Sequence, residues 1–404
     1  MIQSNAMEKD VLRFLHLDEA NHSEIVVVLQ DYFGAVSADP MTCQFYKSDL
    51  AQALTIKFNK EGMIAAAFAN NSITDGEIAA FSSRIEEDLL RNQTSKIGQF
   101  VGFCWYNKVD GLFAFKDLFR IVPVPENAPS PNQLVAPFPF LLQAKYTSSP
   151  NASVDYKRRR NIATLYIHLL NVLLEPQFAL QGSGYTRFAW VLAKDFKDNS
   201  EFRQEGYYFP ELSATIDSYS LPGNPMKEVP VKEYYGSPSL EHKLVVPDNL
   251  ESSLELALNL PQEDKRRFCR SCNWIFQAQN SWHYSRSLSF IAHVNAVESL
   301  IVNPDNAVCP CCNKPKTSSV KLFKNFLDEN VPERGLDKKT RDKIYWYRSQ
   351  INHGFHLLES DISLIPRLAN EEEDLCSELH MIVKRAVRNW LWKHDVDRAN
   401  GVRG

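Results

Sequence analysis

Cysteine is scarce in this chain. Eight in 404 residues are too few for a disulfide scaffold, which leaves reduced thiols or a metal as their expected use. Long apolar runs are missing as well. No stretch approaches the roughly 18 residues that a membrane-spanning helix needs, and the start lacks a basic region followed by an apolar one, so the expectation is a soluble, cytoplasmic protein with no membrane partner. Neither sign of charge dominates: 45 Lys and Arg stand against 49 Asp and Glu, a formal net charge of −4. No global field therefore draws the protein to nucleic acid, and any such binding must be local. There is no internal repeat and no low-complexity tract. What remains is an ordinary globular composition, 44% hydrophobic, 23% charged and 11% aromatic, which excludes a mainly disordered, collagenous or coiled-coil chain. Its length exceeds the roughly 250 to 300 residues at which single cores stop growing, so two to three domains are expected.

Along the chain, Met1–Ala6 ahead of a second methionine at Met7 reads as an expression scar, set apart from the fold. Residues 7–217 mix strand and helix patterns. Leu54–Phe58 and Met63–Phe68, joined by Asn59–Gly62, predict a hairpin with glycine at the end of its loop. Ile78, Phe81, Ile85 and Leu89 make a helical stripe. Strand-like segments follow at Phe100–Tyr106, Leu112–Phe115, Phe119–Val124 and Phe138–Tyr146, then a helix through Ile162–Leu173 stopped by Pro176, and a last strand at Arg187–Ala193. Residues 218–249, broken by five prolines and two glycines, read as a linker. From 250 to 404 the strand pattern is lost. Gln262–Gln279, Tyr284–Val302, Ser319–Glu329, Lys338–His353 and Glu371–Lys393 predict helices, the last with Asn370 and Glu373 in capping-box positions. The fold class expected is therefore multidomain: an α+β N-terminal domain for sensing or binding, then an all-α up-and-down bundle.

The segment richest in chemistry is Ile344–Phe355. Ile344, Tyr347 and Ile351 form the buried stripe of a helix and Arg348 lies at its edge, where a guanidinium is expensive unless paired. His353 falls in the last turn, with Gly354 where a left-handed residue ends helices. An always-charged donor and a group that titrates near neutrality thus share one helix end, roughly 7 to 8 Å apart along the axis. Such a pair suits phosphate chemistry, Arg holding the phosphodiester and His moving protons. The plainer alternative is that Arg348 caps a carbonyl or pairs with an acid, and His353 is a cation favoured by the helix dipole.

Arg348-Ser-Gln-Ile-Asn-His353 resembles the Arg, four to six residues, His signature of HEPN domains. The wider Tyr345–Gly354 segment, with an Arg-Ser pair before a His-Gly, is similar to the Apea-type branch, as is Ala296-Val-Glu-Ser-Leu300 on the preceding helix. This resemblance covers about Leu250 to Lys393. It implies an all-helical domain that dimerises to bring two Arg–His motifs into one cleft and, in many members, metal-independent endoribonuclease activity on RNA, with a role in anti-phage defence. Arg348 would polarise the scissile phosphate and His353 would act on the 2′-hydroxyl or the leaving oxygen. Many catalytic members carry Asn, Asp or His directly after the arginine, whereas here it is Ser349. The alternative is therefore a catalytically inactive HEPN module that binds RNA or serves as a scaffold.

Two C-x2-C units, Cys269–Cys272 and Cys309–Cys312, have the spacing by which paired thiolates grip tetrahedral zinc. Three outcomes stay open: a four-cysteine structural zinc site, Cys309 and Cys312 completed by other ligands, or no metal, with Cys269 and Cys272 as small core residues. Cys311, between the ligands, would stay free, and Cys104 and Cys376 read as core residues. No catalytic metal is expected. Two basic features are candidates for holding RNA. One is Lys157–Arg160. The other lies between Asp305 and Arg348, where ten Lys and Arg face six Asp and Glu, and its contacts would come from Lys338, Lys339, Arg341, Lys343 and the nearby Asn352. For both, a solvated helix face is the ordinary alternative.

Overall fold

The computed structural model describes residues 9–17, 22–48, 51–60, 62–126, 128, 137–180, 214–219, 223–236, 242–282, 284–302, 318–331, 338–362 and 371–399. The chain divides into two compact units, one of Met1–Gly98, Ala144–Ile162 and Thr215–Tyr219, the other of Gln99–Gln143, Ala163–Ala214 and Ser220–Gly404.

The first unit holds an antiparallel sheet of β1 (Lys9–Asp10), β2 (Ala35–Ala38), β3 (Thr42–Tyr46), β4 (Gln52–Phe58) and β5 (Ile64–Ala69), in the order β1-β5-β4-β3-β2. β4 and β5 are the expected hairpin, and Gly62, at φ +77, takes the left-handed conformation that glycine adopts without strain. Helices α1 (His22–Phe33) and α2 (Asp75–Leu89) pack together beside the sheet. Ile25, Val28 and Leu29 of the first and Ile78, Phe81, Ile85 and Leu89 of the second share one buried cluster with Phe45, Leu54 and Ile56. α2 begins at a capping box: the Thr74 hydroxyl accepts from the Glu77 N–H, and the Glu77 carboxylate accepts from the Thr74 N–H.

The basic run Lys157–Arg160 lies on α3 (Ala152–Leu173), and Lys157, Arg158 and Arg159 make contacts inside this unit. Lys157 donates to the Ser23 carbonyl, Arg158 grips the Glu24 carboxylate through two nitrogens at 2.6 to 3.0 Å, and Arg159 reaches the Thr215 hydroxyl. Forked arginine–carboxylate pairs of this kind hold elements together, so the run serves the fold.

A second sheet has the order β10-β6-β9-β8-β7, formed by β6 (Thr94–Trp105), β7 (Phe113–Phe115), β8 (Phe119–Pro123), β9 (Pro137–Ser148) and β10 (Phe178–Leu180), with β11 (Thr215–Ile216) antiparallel on β6. The four strand-like segments read between Phe100 and Tyr146 all fall on these strands. Arg187–Ala193 lies outside the described residues. The stretch read as a linker, 218–249, carries among its described residues β12 (Glu228–Val229), α4 (Val231–Gly236) and β13 (Val246–Pro247), the two strands being parallel.

From Leu250 onward the described residues are helical: α5 (Leu250–Leu258), α6 (Gln262–Ser281), α7 (Arg286–Glu298), α8 (Ser319–Asn330), α9 (Lys338–Asn352), α10 (Glu359–Ile362) and α11 (Glu371–Ala399). The short link between α6 and α7, with Ser289 donating to the Ala278 carbonyl at 2.8 Å, makes those two antiparallel neighbours. α7 touches α6, α8, α9, α10 and α11, and α11 touches α5, α6, α7, α8 and α9, so these two helices organise the core. Asn370, the expected cap of α11, lies outside the described residues.

α11 also buries Lys384 completely. An ammonium in a core is costly unless its donors are met, and here the C-terminal end of α3 meets them. Lys384 Nζ donates to the carbonyls of Leu174 at 2.5 Å and Glu175 at 3.0 Å, and Arg388 Nη1 donates to the Val172 carbonyl at 3.2 Å. The Tyr235 hydroxyl donates to the Leu173 carbonyl at 2.6 Å. Carbonyls at a helix end lack intrahelical donors and carry the negative end of its dipole. Burial nevertheless pulls the Lys384 pKa down to about 8.

Candidate functional site

Lys338–Asn352 folds as α9 because Ile344 and Tyr347 are buried one turn apart, against α7 and α11. Arg348 follows directly and is three-quarters buried. Its Nη2 donates to Glu298 Oε2 at 3.0 Å, Glu298 being the last residue of α7. The guanidinium carbon stands 5.6 Å from the centre of the Tyr345 ring, and Nε is buried without an acceptor among the described residues. Arg348 thus pairs with an acid, as its place at the edge of an apolar stripe demands, and the pair sets the guanidinium rigidly on the α7–α9 contact.

His353 is the first residue beyond α9 and is exposed. The chain closes behind it in a Schellman arrangement: the Phe355 N–H donates to the Gln350 carbonyl at 2.9 Å and the Gly354 N–H to the Ile351 carbonyl at 3.0 Å, with Gly354 at φ +72. This turn is anchored from α11 by Glu372, which accepts from the Tyr347 hydroxyl at 3.0 Å and the Glu359 N–H at 2.8 Å and stands 3.2 Å from His356 Nε2. Burial and the Glu372 carboxylate push the Tyr347 hydroxyl up to about 12, so it stays a protonated donor. One end of α9 therefore offers a fixed guanidinium and, five residues on, an imidazole open to solvent.

The residues expected to hold RNA divide into two groups. Lys338, Lys339 and Asn352 are exposed. Arg341 pairs with Asp328, and Lys343 with Glu371 at 2.8 Å. Lys324 in the same stretch pairs with Asp342. Among the described residues of that stretch, Lys321, Lys338 and Lys339 remain exposed outside these pairs.

Of the expected zinc ligands, Cys269 is half-buried and Cys272 fully buried, one turn apart on α6. Cys272 shares its helical face with the fully buried Phe268 and Ile275, and desolvation pushes its thiol well above the ordinary value. Cys309, Cys311 and Cys312 lie outside the described residues. Among the described residues no three His, Cys, Asp or Glu side chains gather as a metal site. Cys104 and Cys376 are buried, as expected of core residues.

Several side chains of this region escaped the sequence. Glu298 lies inside the Ala296–Leu300 segment but fifty residues from Arg348, and only the α7–α9 packing joins them. His356 and Glu372 carried no spacing cue. His293, which is buried, meets His380, Nε2 to Nδ1 at 2.9 Å, with His293 Nδ1 2.9 Å from the Ser289 carbonyl. A carbonyl only accepts, so His293 carries its proton on Nδ1, its Nε2 accepts, and His380 Nδ1 is the donor. Both rings are neutral, and burial holds His293 down to about 4 and His380 well below the ordinary histidine value.

The chain matches no protein-family model, no curated protein and no solved structure.

Proposed function

We propose that the helical region is a metal-independent endoribonuclease of HEPN type that acts as a homodimer. The observation that carries this reading is the end of α9, where Arg348 is locked by Glu298 while His353 stands exposed just past the helix. In the proposed reaction the RNA 2′-oxygen attacks phosphorus, a P–O2′ bond forms and the P–O5′ bond breaks. His353 accepts the 2′-hydroxyl proton, and the leaving 5′-oxygen takes a proton from a second acid. Arg348 stabilises the extra negative charge on the phosphoryl oxygens. One chain supplies one such pair, so a second copy facing the first completes the acid and base. Trp346, Phe355 and Leu357, about half or more exposed around the motif, supply apolar surface for that contact. Lys338, Lys339 and Asn352 would steer the RNA, with Arg341 and Lys343 joining where RNA displaces their carboxylate partners. A structural zinc on Cys309 and Cys312, with Cys269 and Cys272 as preferred partners, belongs to the same proposal, and anti-phage defence is its expected setting.

The products provide the test. Purified protein with mixed RNA in EDTA should release fragments ending in 2′,3′-cyclic phosphate and 5′-hydroxyl. Fragments with 3′-hydroxyl and 5′-phosphate ends, or cleavage abolished by EDTA, contradict the proposal. The Arg348–Glu298 pair also favours a second reading, since a guanidinium neutralised by its own chain has less charge to give a phosphate. In that case the region is a catalytically inactive HEPN module, and RNA is bound but left intact.

A further inference from the structure

A groove of about 380 Å³ opens between α4 and α11, lined by Lys232, Tyr235, Arg385, Arg388, Asn389 and Trp392 among others. It lies within the second unit, sixteen residues along α11 from Glu372, or roughly 24 Å at the helical rise, and so is separate from the end of α9.

Its charge is unbalanced. Arg385 and Arg388 line the groove on α11 and Lys232 on α4, with the buried Lys384 on the same stretch of α11. One carboxylate, Glu175, is shared among three of these cations, pairing with Arg388 at 2.9 Å and attracting Lys384 and Arg385, while Asp248 accepts the Val231 N–H at 3.2 Å. Arg388 is 95% buried and fixed further by the Tyr235 ring, 4.1 Å from its guanidinium carbon. Among the described residues Lys232 is exposed with no ion pair or hydrogen bond, and Arg385 is held only by longer-range attraction to the shared Glu175. A surplus of cations around a pre-formed concavity calls for a multiply charged anion such as a phosphate.

The rest of the lining is not that of a bare anion site. Tyr235 and Trp392 stand edge to face at 5.8 Å, and their polar atoms are occupied, the hydroxyl on the Leu173 carbonyl and the indole N–H on the Ser253 hydroxyl at 2.9 Å. Only their apolar rings are left to offer. The Asn389 side chain donates its amide to the Asn330 carbonyl at 2.7 Å, which leaves its Oδ1 as an acceptor. Cations for phosphate, rings for a flat heterocycle and an amide oxygen for an exocyclic amine occur together in a groove of small-ligand size.

We propose that this groove binds a phosphorylated nucleoside, with Arg385 and Lys232 on the phosphate and the Tyr235–Trp392 wall against the base. Calorimetric titration of the full chain with AMP, adenosine and inorganic phosphate tests it, alongside Arg385→Gln and Lys232→Gln checked for unchanged thermal melting. AMP should bind at least tenfold more tightly than adenosine or phosphate, and each substitution should weaken AMP by about tenfold or more. The proposal is overturned if AMP fails to bind, if phosphate or adenosine binds as well as AMP, or if both folded variants bind AMP like the unaltered chain.

Discussion

Arg348 and Glu298 form an ion pair about three-quarters buried on both sides, so each constrains the other. If Glu298 positions the guanidinium, Glu298→Gln keeps a hydrogen-bond acceptor but loses the charge that orients the fork. The expected outcome is kcat for RNA cleavage down by about tenfold with KM little changed; a fall in KM with kcat intact would mean Glu298 merely competes with phosphate. Gly354 is the second sensitive position. A side chain at its φ of +72 is strained, and Gly354→Ala should lower stability by roughly 1 kcal/mol, the scale of left-handed strain for a residue with a Cβ, as read by urea unfolding. The buried histidines give a pH signature. His293 and His168 are both held down to about 4 by burial, against an unfolded value near 6.5. Between those limits the unfolded chain binds protons that the native chain does not, so stability rises with pH there and is lost as pH falls from about 6.5 to 4. The loss amounts to roughly 3 kcal/mol for the fully buried His293 and less for the partly shielded His168. Urea midpoints at pH 7 and pH 4.5 measure this, and His293→Phe should flatten part of the dependence.

Among the elements, α11, like α7, packs on five other helices, and it also caps the end of α3. Lys384→Ala leaves the Leu174 and Glu175 carbonyls without their donor and the Glu175 carboxylate short of a cation. A destabilisation of roughly 3 to 5 kcal/mol is expected, as for breaking a buried ion pair. A change under 1 kcal/mol in denaturant unfolding would mean that the lysine contributes nothing net. What could be read of these elements in the sequence depended on period. In β4 the apolar Leu54, Ile56 and Phe58 alternate with Thr55 and Lys57 ahead of the loop that ends at Gly62, and α2 repeats Ile78, Phe81, Ile85 and Leu89 on one face, so both were legible. α1 was not: Ile25-Val-Val-Val28 is a β-branched run with no helical period, and packing against α2 and the sheet overrides its local preference. α11 was legible as a helix, but Lys384 was not legible as core, because its acceptors lie at the end of a helix some 210 residues earlier. The candidate site divides the same way. The spacing of Arg348 and His353 is local and could be read, whereas Glu298 and Glu372 enter only through tertiary packing.

At the scale of the whole molecule, an antiparallel sheet with two helices, a second sheet and a helical C-terminal region are present. Among the described residues no helix is long and apolar enough to cross a membrane. The proposed dimer requires the apolar residues around the motif to meet a second copy. Phe355, 78% exposed, lies two residues from His353, and Phe355→Asp should shift light scattering from dimer toward monomer and lower cleavage with it. A monomer at micromolar concentration with full activity would dismiss the shared cleft. Elemental analysis should find about one zinc per chain if the two C-x2-C units hold metal. Arg348 and His353 are proposed to perform the chemistry, and their part is measured by the rate of RNA cleavage in EDTA, compared between the unaltered protein and a His353→Ala variant. Because His353 is exposed, that variant should keep its thermal melting and lose about 10² or more in rate, the usual worth of general acid–base catalysis. Cleavage by the folded variant at an undiminished rate would contradict the account.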